Sequence, residues 1–117
     1  MDLSKIENDL ISEIKLTRLQ AKIFLVLVTK GKMNTQKIAS NLHISVADAL
    51  EGAKKLVELG SVIEISTNEF ETMHPRFTAV NMYRKMCERN HIDFKRNNVI
   101  DNIGIALEKP YEDARTK

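Results

Sequence analysis

The stretch that most limits what this chain can become covers residues 35–60, TQKIASNLHISVADALEGAKKLVELG. Ile38, Ala39 and Leu42 fall on one face of a short helix, and Ala49, Ala53, Leu56 and Val57 on one face of a longer one. His43-Ile44 breaks the two apart, with Ile44 placed to plug a small three-helix core. Ser45 is expected to cap the second helix, and Asp48 to favour its positive N-terminal end. Gly60 supplies a left-handed stop. The spacing predicts two helices joined by a tight turn, a helix-turn-helix whose second helix can enter a DNA major groove. The same pattern fits an ordinary helical hairpin in a small α domain, so the flanking residues have to decide.

Upstream, Thr17 and Gln20 form a capping box that starts a helix running to about residue 29. Its expected buried face is Ala21, Phe24, Leu25, Leu27 and Val28, broad enough for a central helix. Gly31 ends it, Lys30, Lys32 and Met33 form the connection, and Asn34 or Thr35 caps the next helix. Downstream of Gly60, Val62, Ile63 and Ile65 favour a strand, residues 66–69 have turn composition, and residues 70–73 read as a returning strand. A hairpin directly after a helix-turn-helix is the order of a winged helix. The expected class is therefore mainly α with a small β-hairpin (α+β), a winged helix-turn-helix with helical extensions at both ends.

The N-terminal extension, residues 1–15, carries Leu3, Ile6, Leu10 and Ile14 as one apolar stripe. Such a stripe suits its own domain and a second copy equally well, and in the second case it seams a dimer. The winged unit spans 16–75, and the C-terminal extension 76–117. In the latter, Pro75 opens a helix to about Asn90 with Phe77, Val80, Met82, Tyr83 and Met86 as apolar positions. Residues 99–107 suggest one more short helix, ended by Pro110, before a polar, frayed tail over 111–117.

Charge is distributed more tellingly than its net of +2. Residues 1–14 are net −3, residues 15–60 net +5 and residues 75–97 net +4. Two basic blocks in a nearly neutral chain are the footprint of a phosphate-backbone binder, although solvated helices also carry scattered lysines. The longest apolar run, residues 23–28, is far too short to span a bilayer. A lone cysteine, Cys87, excludes an internal disulfide and fits a reducing compartment. With no basic, apolar leader at the start, the expected location is the cytoplasm, associated with the nucleoid.

Leu16-Thr17, followed by Ala21-Lys22 and Phe24, resembles the opening of the TrmB-like winged-helix regulators of archaea. Residues 70–75, Phe-Glu-Thr-Met-His-Pro, resemble that family's second wing strand running into a proline-started helix. The resemblance covers about residues 16–80. It implies a DNA-binding transcriptional regulator that acts as a homodimer. The sugar-sensing domain of longer members has no room here, so no small-molecule effector or cofactor carries over. One departure stands out. Such proteins offer Arg, Ser or Thr to base edges at the start of the recognition helix, where this chain has Val46, Ala47, Asp48 and Glu51, with Lys54 and Lys55 only later. Arg–guanine and Asn/Gln–adenine pairs are the usual readers of sequence. Either backbone contact dominates here, or the fold binds protein.

On this reading the DNA-facing residues are Thr35, Gln36 and Lys37 at the first helix, and Ser45, Val46, Ala47, Asp48, Glu51, Lys54 and Lys55 on the recognition helix (45–58) in the major groove. Thr67 and Asn68 sit at the tip of the wing (62–73), which leans on the backbone of double-stranded DNA. The alternatives are a protein-interaction module and a non-specific chromatin-like protein. His43, His74 and His91 lie far apart with no metal-ligand spacing, so no metal site is expected. Cys87 reads as a small packed residue without triad partners, and Glu112-Asp113 lie in the tail without a pocket, so no catalytic residues are expected.

Overall fold

Ala21 and residues 23–28 are all buried, so the helix that carries them, α2 (Arg18–Lys30), is enclosed on every side over residues 23–28, with Arg18, Lys22 and Lys30 left exposed. The computed structural model describes residues 3–116. In chain order its elements are α1 (Leu3–Ile14), α2, β1 (Met33–Asn34), α3 (Thr35–Leu42), α4 (Val46–Glu58), β2 (Val62–Ser66), β3 (Glu69–Thr72), α5 (Pro75–Arg89) and α6 (Asn98–Asp113). Helices α1, α3, α4 and α6 and strand β3 all pack on α2. Helix dominates, with one small antiparallel sheet, an α+β arrangement. No described helix is long and apolar enough to cross a membrane.

Local signals set most of the ends. Thr17 and Gln20 close both halves of their capping box, at 3.1 and 3.0 Å. Asn34, rather than Thr35, caps α3, its side chain accepting from the Lys37 amide at 2.8 Å. His43 takes the left-handed conformation that ends α3, and Ser45 caps α4 by accepting from the Asp48 amide at 3.0 Å. Gly60, with φ +81°, turns the chain out of α4; a Cβ there would meet the Asn81 amide that donates to the Gly60 carbonyl. Within α4 the buried face is Ala49, Gly52, Ala53 and Leu56. A Cβ at Gly52 would run into Ile23 Cδ1, so this glycine gives up about 1 kcal/mol of helix propensity to let α4 close on α2.

The fold decides one open choice and corrects three expectations. First, of the two fates open to the apolar stripe of α1, it packs on its own domain: Ile6, Leu10 and Ile14 are buried, and α1 packs on α2, α5 and α6 of its own chain. Met1 and Asp2 of the segment 1–15 lie outside the described residues, as does Lys117 of the segment 76–117. Second, Met33 is not connection but part of a third strand. The sheet order is β1-β3-β2, with Met33 opposite Phe70 and Val62 opposite Thr72. A two-residue strand is too short to carry a period, and its pairing partner lies far along the chain.

Third, Pro110 does not end the last helix, which runs to Asp113. Proline removes one intrahelical bond to the carbonyl four residues back. Contacts beyond it make up the loss. Arg115 donates to the carbonyls of Leu27 and Val28 at the open end of α2, pairs with Glu71 of β3, and lies 3.7 Å over the Tyr111 ring. Fourth, for the same reason, the tail as far as Arg115 is not frayed. Phe77, placed on the apolar side of α5 by pattern, is 53% exposed, while Cys87 is buried as expected.

Candidate nucleic-acid interface

One carboxylate joins the three segments that the sequence assigns to DNA. Glu64 on β2 accepts from the Lys54 ammonium of α4 at 2.6 Å and from the backbone amide of Asn68 at 2.8 Å. Asn68, at φ +59°, forms the hairpin turn with Thr67. Its carbonyl in turn accepts from both the amide and the hydroxyl of Thr35, at 3.0 and 3.1 Å, at the start of α3. Hairpin, α4 and α3 are therefore tied by a continuous path of hydrogen bonds. The Lys54 hydrogen bond, helped by the Asn68 amide, holds the Glu64 carboxyl below its ordinary value.

This path reassigns two of the expected contacts. Thr35 is 2% exposed and its hydroxyl is already committed to Asn68, so it braces the hairpin and does not reach a phosphate. Lys54 is not a free cation; it sits on Glu64, 6.0 Å from the centre of the Phe70 ring. Lys55 pairs with Glu58 at 3.4 Å. Gln36, Lys37, Ser45, Val46, Ala47, Asp48, Glu51, Thr67 and Asn68 are all exposed, as expected. The Ser45 hydroxyl works as a cap.

The outward face of α4 carries Asp48, Glu51 and Glu58 against Lys54 and Lys55, and both lysines meet carboxylates. Along it runs an open hollow of about 540 Å³ lined by those five charged residues together with Thr17, Leu19, Gln20 and Gly52. The basic block over 15–60 is further offset by the acidic α1, whose Glu7 holds Arg18 at 2.5 Å and Lys22 at 3.3 Å. A count along the chain misses this, because the acids that neutralise the block come from other elements.

The fold also gathers a group that sequence spacing missed. His74, Glu108 and Glu112 bring ligand-type atoms within 4.8 Å of one another. The chemistry suits an ion-pair knot better than a metal cradle. His74 Nδ1 accepts from the Arg76 amide as the cap of α5, which leaves the ring proton on Nε2, facing Glu108 at 3.7 Å. The Arg76 guanidinium competes for the same carboxylate at 3.6 Å. A metal at Nε2 would have to displace both.

No protein family, curated protein or solved structure matches the chain.

Proposed function

We propose that residues 16–75 are a winged helix-turn-helix that binds double-stranded DNA as a transcriptional regulator, in keeping with the resemblance to the TrmB-like regulators. The observation that carries this reading is the bracing of an outward-facing α4 to a hairpin turn and the start of α3 through Glu64, Asn68 and Thr35. Such a unit offers α4 to the major groove with the hairpin beside it. Affinity rests on the backbone, and base reading is limited to what Asp48, Glu51 and the apolar Val46 can do: accept from cytosine N4 or touch a thymine methyl.

The chain then works as a homodimer through outward apolar side chains of its C-terminal extension, Phe77, Phe94 and Ile105, each at least 50% exposed. The stripe of α1 is already occupied. Selection of bound duplexes from a random pool tests the function. Enrichment of a shared motif, with affinity that falls steeply as salt rises, is the expected result. Recovery of no duplex even at low salt would end the reading.

A second reading is favoured by the hollow beside α4, whose charged lining holds three acids against two paired lysines. On it, α4 receives a cationic segment of a protein partner and DNA plays no part. Glu51→Lys separates the two. It strengthens duplex binding on the first reading and abolishes partner capture on the second.

A further inference from the structure

The cations that remain free in the winged unit do not lie on the helix meant to enter the groove. Lys30 ends α2, Lys32 lies in the two-residue link that follows, and Lys37 stands in the first turn of α3. These three line one open hollow of about 440 Å³, together with Thr29, Met33, Asn41 and Ala114, and no acidic residue lines it. None of the three is in an ion pair among the described residues. Arg18, Lys22, Lys54 and Lys55 each face a carboxylate.

We propose that Lys30, Lys32 and Lys37 form a clamp for successive phosphate groups, and that a nucleic-acid backbone anchors there and not along the late turns of α4. The neighbouring polar groups are already engaged. Asn34 takes the Lys37 amide, Asn41 donates to the Lys37 carbonyl at 2.8 Å, and the Thr29 hydroxyl donates to the Leu25 carbonyl at 2.9 Å. The ammonium groups are therefore the donors left to a ligand, and they read charge without selecting a base. An unpaired lysine has no protein carboxylate to give up when it meets a phosphate. It contributes its full share of counterion release, whereas Lys54 and Lys55 must first leave Glu64 and Glu58. The hollow is open, which suits a backbone running past it.

This clamp extends the DNA-binding reading but is tested separately from it. Duplex affinity of the full chain is measured by fluorescence anisotropy over about 50–200 mM salt, for the parent, for K30Q/K32Q/K37Q and for K30R/K32R/K37R. A second arm titrates each protein with sodium tripolyphosphate and follows backbone amide shifts. The glutamine triple is expected to bind duplex at least about tenfold more weakly and to lose about 2–3 from the slope of log affinity against log salt, while the arginine triple keeps both. Tripolyphosphate is expected to shift amides over 29–41 in the parent and not in the glutamine triple. If the glutamine triple binds duplex with the parent's affinity and slope, the clamp is overturned and DNA binding stands. If the parent binds no duplex but tripolyphosphate shifts those amides, the clamp stands as a site for free polyphosphate and the DNA reading falls. Silence in both arms overturns both.

Discussion

Helices α4 and α6 are of similar length and both amphipathic, yet one stops where its own residues say and the other does not. Ser45 and Gly60 bound α4 by interactions within a few positions of the chain. Helix α6 passes its proline and continues to Asp113, because Arg115 reaches carbonyls 87 and 88 positions earlier, on Val28 and Leu27. Their charges are used differently too. Arg115 and Glu71 are 19% and 22% exposed, and the guanidinium fills the end of α2. Lys54 and Glu64 are 51% and 27% exposed and only align neighbouring segments. Local caps decide a terminus when nothing distant competes; a partly buried guanidinium that reaches two carbonyls at the end of a neighbouring helix and a carboxylate on the sheet outweighs one missing hydrogen bond.

The sharpest way to break this contrast is Arg115→Ala. It leaves Glu71 without its ion-pair partner and strips the Val28 carbonyl of its donor, so a loss of about 2–4 kcal/mol is expected in denaturant unfolding. Amides beyond Pro110 should exchange faster in the same variant. Unchanged stability would mean that the helix crosses its proline for some other reason. Next comes Gly52→Val, which drives a branched side chain into Ile23 and should destabilise by about 1–3 kcal/mol, read as a lower melting temperature. Ser45→Ala removes only a local cap and should cost about 1 kcal/mol.

The smallest effect belongs to Glu64. Its carboxyl titrates lower in the folded protein than its ordinary 4.5, so the stabilisation from its hydrogen bonds is full above that value. That stabilisation is lost as pH falls through the lowered folded value. Carboxyl titration by NMR should give a midpoint below the ordinary one, and Lys54→Gln should raise it. A midpoint that Lys54→Gln leaves in place would remove Lys54 as the cause.

What the sequence makes legible follows the same division. The capping box at Thr17, the Ser45 cap, the turn at His43, the left-handed Gly60 and the hairpin over 62–72 are all signalled within a few residues. Strand β1 is not, since Met33 and Asn34 become a strand only by pairing with Phe70 and Glu69. The surface was legible as to exposure for most of the expected site residues, and illegible as to charge. Lys54 looks free until Glu64 is beside it, and Thr35 looks like a phosphate ligand until Asn68 covers it. The Lys30, Lys32 and Lys37 grouping was half visible: the basic block was evident, but which of its members keep their charge unshared depends on where α1 folds.

The bond path from Lys54 through Glu64 and Asn68 to Thr35 has a mechanical consequence. A hairpin that is stapled at its tip to the neighbouring helix start cannot swing to follow a curved or widened target. If DNA is the target, as proposed, this surface meets it as one stiff die, with little disorder to freeze out on contact, and the duplex must already match its contour or bend to meet it.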